Sequence, residues 1–158
     1  MVDSSLTNKM KKLPVLQIAS SLLILLFAYT AFSKLFDYRA FTQTLSESPL
    51  IHNGADTIAW LLPAIELVVV LLLFFEGTRR VGLYASLLLL VLFTLYLLYM
   101  VLFVADLPCS CGGVLSKMSW KQHVFFNLFF IVVNLIGIGG LRIYTFLNFL
   151  RRQGMPKT

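Results

Sequence analysis

The most specific chemistry in this sequence belongs to two sulfurs. Cys109 and Cys111 are the only cysteines and stand two residues apart, in Pro108-Cys109-Ser110-Cys111-Gly112-Gly113. Residues at that spacing can bring their Cα atoms within the roughly 4.4–6.8 Å a disulfide needs, and the glycines let the backbone bend to suit. Closing so small a ring stabilises little. The chain-entropy relation gives about 1.6 kcal/mol for three residues, against about 3 for fifteen. A Cys-x-Cys bond is therefore a poor staple and a good redox switch, since strained or exposed disulfides are the reducible ones. Lys117, Lys121 and His123 follow, with the positive end of a helix opening near Trp120, and all favour a thiolate. Two other readings stand beside thiol–disulfide exchange. Cys109 and Cys111 could hold Cu(I) as two thiolates, with Met100 or Met118 helping, or they could form a structural pair. Zinc is disfavoured: a closed site wants four ligands, and only His123, Asp106 and His52 are to hand.

A second set of chemical residues lies inside apolar sequence. Glu66 interrupts an otherwise uncharged run, about 13 Å from its start at residue 57 if the run is helical. A carboxyl at that depth in a bilayer is costly and marks a functional site or a buried polar contact, such as one with an Asn. Pro63, one turn earlier, loosens the backbone beside it. His123, Asn127 and Asn134 fall within about 40° of one another on a helical wheel, with Phe130 on the same stripe. That stripe should face the bundle interior, either to bind or simply as interhelical glue. Tyr29, Ser33 and Asp37 recur every fourth residue with Lys34 beside them, as contacts for the cysteine segment or as interface anchors.

These residues must be positioned by helices in a membrane. The 158-residue chain is 59% hydrophobic and 13% charged, with a mean hydropathy of +0.87; thirteen Lys/Arg and seven Asp/Glu cannot cover a soluble domain. Four stretches reach the roughly 20 residues a bilayer crossing needs: about 13–33, 57–75, 81–105 and 120–141. Backbone groups in lipid must pair within the segment, so the spans are helices, and their continuous apolar character excludes a β-barrel. The first run is too long for a signal-peptide core, so it reads as an uncleaved helix. The net charge of +6 is concentrated at Lys9, Lys11, Lys12, at Arg79, Arg80, and at Arg142, Arg151, Arg152, Lys157. The other side holds Lys34, Arg39, Lys117 and Lys121 among several acids. The positive-inside rule then puts both termini in the cytoplasm, and it makes the basic ends orientation signals rather than a nucleic-acid site. The expectation is one all-α membrane domain, residues 13–147, as an up-down-up-down four-helix bundle between cytoplasmic tails 1–12 and 148–158. The short 76–80 connection makes a tight hairpin, while segments 34–56 and 106–120 are longer outer loops. Ser119 and Gln122 form a capping-box pattern before the last helix, and Gly137, Gly139 and Gly140 allow close helix approach.

The cysteine motif directly before a fourth membrane helix, with His123 and Asn127 four apart at its start, resembles the methylamine utilisation protein MauE family. The segment Tyr29-Thr30-Ala31-Phe32-Ser33-Lys34-Leu35 and the Pro63-x-x-Glu66-Leu67 pattern resemble the broader DoxX-like superfamily. The family pattern continues Phe-Gly after the second cysteine, where this chain has Gly112-Gly113; Phe126 precedes Asn127 where an Arg is common. The resemblance implies a redox-associated protein of the bacterial inner membrane, working with a periplasmic thioredoxin-like partner in the maturation of exported proteins. Cys109 and Cys111 match the family's cysteine pair and would be the catalytic residues. A quinone held near Glu66, His123, Asn127 and Asn134 would be the electron carrier, in line with quinone-linked members of the superfamily. A quinone-linked DoxX-like oxidoreductase subunit, a Cu(I)-handling protein and a non-catalytic assembly subunit of a larger membrane complex are the alternatives.

Overall fold

A computed structural model describes residues 4–48, 51–103 and 120–153, with side chains at 15–48, 51, 53–103 and 122–142. Cys109 and Cys111 lie outside the described residues, so the spacing of their sulfurs does too. The described residues are almost all helical or in turns, with no strand among them. The elements are α1 (Ser4–Phe36), α2 (Tyr38–Ser46), a 3-10 turn (His52–Gly54), α3 (Ala55–Phe74), α4 (Arg79–Phe103) and α5 (Trp120–Gln153).

Four helices carry segments long and apolar enough to cross a membrane: Val15–Phe36, Ala55–Phe74, Arg79–Phe103 and Gln122–Arg142. Only 22% to 39% of each segment's apolar window is buried by protein. The rest, including Leu25, Phe36, Phe103 and Phe125, faces outward. A water-soluble bundle could not expose that surface, whereas lipid solvates it at no cost. Inside, Leu23, Leu73 and Leu83 are fully enclosed, and Leu16, Phe27, Val69, Leu90, Phe130 and Ile138 complete one core. α1 packs on α3 and α5, and α4 packs on α3 and α5.

Small residues set the closest approaches. A Cβ on Gly82 would stand 2.8 Å from the backbone nitrogen of Leu73, so α4 touches α3 main chain to main chain. The turn between them is closed by Thr78 Oγ1 donating to Leu72 O at 3.0 Å and Arg79 Nε donating to Leu73 O at 3.3 Å. Of the three glycines noted on α5, Gly137 is tight, 3.3 Å from Ala19 Cβ. Gly140 meets Leu16 only at ordinary contact distance, and Gly139 meets nothing within 4 Å. Close approach therefore explains Gly137 and not Gly139.

Segment 34–56, expected as an outer loop, is mostly helical. α1 continues to Phe36, and after Asp37 the chain turns into α2. The reason is a short amphipathic pattern. Phe41 and Leu45, four residues apart, are buried and cluster with Ala55 and Ala59 of α3, with Tyr38 and Ile58 packed around them. Tyr38 also meets the Trp60 ring, with centroids 5.5 Å apart. Buried Ser48 accepts a hydrogen bond from Tyr96 of α4 at 3.1 Å. Both outer helices also outrun their apolar spans: α1 begins at Ser4, inside the stretch expected as a tail, and α5 reaches Gln153.

Candidate functional site

Lys34 is the residue around which the polar interior is organised. It ends the apolar stretch of α1 at a level where a lysine could reach outward to water. Instead it turns inward. Its Nζ donates to Glu66 Oε1 of α3 at 2.7 Å, and the two side chains are 8% and 3% exposed. A second Nζ hydrogen bond goes to Thr30 O, one turn back on α1, at 3.3 Å. The ammonium also lies over two rings, 5.5 Å from the centroid of Phe93 and 5.8 Å from that of Phe41. Those contacts suit a desolvated cation, because a ring face is negative. An ammonium has three donors, and two are used in these bonds.

Pairing is what makes either charge tolerable here. An ionised group alone in an apolar interior is penalised by many kcal/mol, and a buried pair is stable only if its geometry is good and its other atoms are satisfied. The first condition is met by the 2.7 Å contact. The second is not: Glu66 Oε2 is buried with no hydrogen-bond partner, and so is Ser33 Oγ, one residue before Lys34. Both residues line a partly open cavity of about 90 Å³. Its polar lining continues through Thr30, His123 and Asn127, and its apolar walls include Phe27, Phe41, Phe93 and Phe126. Unpartnered buried oxygens on residues that line a cavity suit a site that takes up something polar, whether water or a ligand atom.

Each long helix contributes to this cavity, and α2 adds Phe41. The cavity lies near the start of α5, because His123 stands in the first turn after Trp120. The stretch joining α4 to α5, residues 104–119, is the one that carries Cys109 and Cys111.

Three of the residues singled out from the sequence as a cofactor site, Glu66, His123 and Asn127, thus line one cavity. His123 is buried, Asn127 half-buried. Asn134 stands apart from them. It shares their stripe but lies seven residues further along α5, about 10 Å away by helical rise. Its Nδ2 donates to Ser86 Oγ of α4 at 2.6 Å, and that hydroxyl donates onward to Leu83 O at 2.9 Å. Asn134 is fully buried in a helix–helix contact, which makes it interhelical glue rather than cavity lining. The contact partner of Glu66 is a lysine, not the asparagine considered from the sequence. Lys34 itself, read there as an anchor or a contact for the cysteine segment, is the residue whose role sequence reasoning missed. The available signal was its place one turn after Thr30 and beside Ser33, on the face that continues Leu23, Phe27 and Ala31 into the core. Among the described residues no three His, Cys, Asp or Glu side chains gather as a metal site. Met100, weighed as a helper for copper, is buried in α4.

No match was found among curated proteins or among solved structures. The family model of the methylamine utilisation protein MauE matches residues 12–140, a stretch that takes in the first three apolar segments, all but the last two residues of the fourth, the Lys34–Glu66 pair and the cysteine motif. By that match, which spans most of its length, the chain belongs to the MauE family.

Proposed function

We propose that this protein is a membrane-bound thiol–disulfide exchanger: Cys109 and Cys111 trade disulfides with an extracytoplasmic thioredoxin-like partner, and the Lys34–Glu66 cavity serves the electron and proton side of that exchange. The observation that carries the reading is the placement of an incompletely satisfied buried ion pair at the end of the bundle where α5 begins. Nine positions separate Cys111 from Trp120, a tether of at most about 30 Å. Membership of the MauE family supports the same reading, as does the charge bias that would place both termini in the cytoplasm and the cysteine segment on the oxidising side of the bacterial inner membrane. An up-down-up-down arrangement of the four spans follows from that topology, and a DoxX-like relationship is in keeping with the Pro63-x-x-Glu66 pattern.

The exchange step is conventional in its balance. A thiolate of one protein attacks a sulfur of the other's disulfide and expels that disulfide's second sulfur as a thiolate; the remaining thiol of the attacking pair then attacks its own partner sulfur in the mixed disulfide, which closes the new disulfide and releases the other protein as a dithiol. Two electrons and two protons move in net terms, so a site near the sulfurs that can hold protons is useful. Glu66 Oε2 can accept a hydrogen bond, Lys34 retains a donor, and Ser33 can do either. A quinone bound here would supply the membrane-soluble two-electron acceptor or donor that such a cycle needs. The polar groups fit a ring that carries a carbonyl when oxidised and a hydroxyl when reduced. The space as it stands, about 90 Å³, is smaller than the ~150 Å³ of a cavity that accepts benzene. Entry of a ring therefore requires side chains of the wall to move, and Phe41 of the short helix α2 is one of them.

The test is covalent capture. Cys109→Ser and Cys111→Ser single variants are expressed at native level and cells are quenched with acid and alkylated. One of the two should accumulate a mixed disulfide with an exported thioredoxin-like protein. A membrane-impermeant thiol reagent should label the pair in intact cells after reduction. Absence of any covalent partner in both variants, with function retained, would sink the exchange reading.

A further inference from the structure

A second recess opens on the side of the bundle near the α3–α4 turn. Its volume is about 460 Å³, within the roughly 300–1,000 Å³ of ligand sites. Gln17, Ser20 and Ser21 of α1 and Arg79 of α4 give it a polar part, and Leu25 and Phe74 stand among its apolar walls. Two independent features mark it as a binding site rather than a packing gap. Arg79 is half-buried, and its only hydrogen bond among the described residues runs from Nε to Leu73 O, which leaves both terminal guanidinium nitrogens for an acceptor. Ser20, 3% exposed, lines the recess with a buried hydroxyl that has no hydrogen-bond partner.

The surroundings name the occupant. The walls of this recess belong to segments that cross the membrane, so what fills it laterally is lipid. Its apolar walls suit an acyl chain, and a guanidinium at the first residue of α4 suits a phosphate, since its planar fork and the helix end both attract an anion. Arg80 follows directly, and Lys9, Lys11 and Lys12 occupy the polar start of α1, so the local charge is strongly positive. The geometry points to a groove that holds one anionic phospholipid, with the headgroup phosphate on Arg79 and an ester oxygen within reach of Ser20. Such a lipid would bridge α1 to the α3–α4 hairpin. It is independent of the cysteine chemistry.

The full-length protein, purified in detergent and stripped of lipid, is titrated with phosphatidylglycerol or with phosphatidylcholine of the same acyl chains. Bound lipid is counted by native mass spectrometry. One phosphatidylglycerol should be retained in preference to phosphatidylcholine. Arg79→Gln should weaken its retention roughly tenfold, the scale of a lost charge-assisted contact. Arg79→Lys, which keeps the charge, should lose less than Arg79→Gln. Arg142→Gln removes an exposed charge from α5 and should leave retention within about twofold, as bulk surface charge contributes little. Ser20→Leu, which fills the groove floor, should weaken both lipids. Equal retention of the two lipids, or equal losses in Arg79→Gln and Arg142→Gln, would overturn the assignment. So would full displacement of the lipid by inorganic phosphate.

Discussion

Removal of one partner from the Lys34–Glu66 pair should cost more than removal of both. At 2.7 Å the direct attraction is about 6 kcal/mol with an effective dielectric constant near 20. That attraction offsets a desolvation penalty of several kcal/mol per ion, so the pair as a whole is close to neutral for stability. Lys34→Met leaves Glu66 buried with both oxygens unpaired. Glu66→Met leaves the ammonium with one carbonyl and two rings. Each single change should destabilise by about 3–5 kcal/mol, the usual cost of an uncompensated buried charge. Neither side chain is exposed enough for solvent screening to reduce that figure. Lys34→Met combined with Glu66→Met removes the charges together and should lose less than either single variant. The assay is thermal unfolding of the purified protein in detergent, followed by circular dichroism or by retention of the monodisperse peak. At roughly 2–4 °C per kcal/mol for a chain of this size, the single variants should melt on the order of 10 °C lower. The double variant, stable but with an apolar cavity, should still form the partner mixed disulfide while failing to turn over. Single variants that melt within about 2 °C of the parent, or a double variant whose loss is the sum of the singles, would refute the view that the two charges are buried and coupled.

Other outcomes follow from the same geometry. Gly82→Ala drives a Cβ to 2.8 Å from the Leu73 backbone, so α3 and α4 must separate; a loss of about 1–3 kcal/mol is expected in the same melt, as for overpacked cores. Gly139→Ala meets nothing within 4 Å and should be neutral or stabilising by up to ~1 kcal/mol, from helix propensity alone. Asn134→Ala breaks the 2.6 Å bond to Ser86 and should lower stability by about 1–2 kcal/mol while leaving mixed-disulfide capture and turnover intact, unlike changes at Glu66. Phe41→Ala removes one wall of the cavity, and should raise the affinity for a short-tailed benzoquinone, measured as a ligand-induced shift in melting, if α2 is what restricts entry.

Much of this architecture is written in local sequence. Four long apolar runs of membrane length identify the spans, because the bilayer imposes both the length and the helix on any apolar segment that crosses it. The depth of Glu66 and the shared face of His123, Asn127 and Asn134 follow from helix geometry, which one chain segment determines alone. The pattern of Tyr38, Phe41 and Leu45 was also present to be read as a short helix. A stretch between membrane spans nonetheless reads first as a loop, since nine residues carry too little periodicity to outweigh that prior.

What the tertiary structure alone decided is which faces meet. Lys34 at the end of a span can equally extend toward headgroups or turn inward, and its own sequence neighbours do not separate the two. Only the docking of α1 against α3 brings Glu66 to 2.7 Å and settles the matter, because a carboxylate buried there is costly to leave without a partner. Asn127 and Asn134 share a stripe on one helix, yet one lines a cavity and the other bonds Ser86. The helical wheel records angle but not which neighbour stands at each level, and that is a property of the assembled bundle.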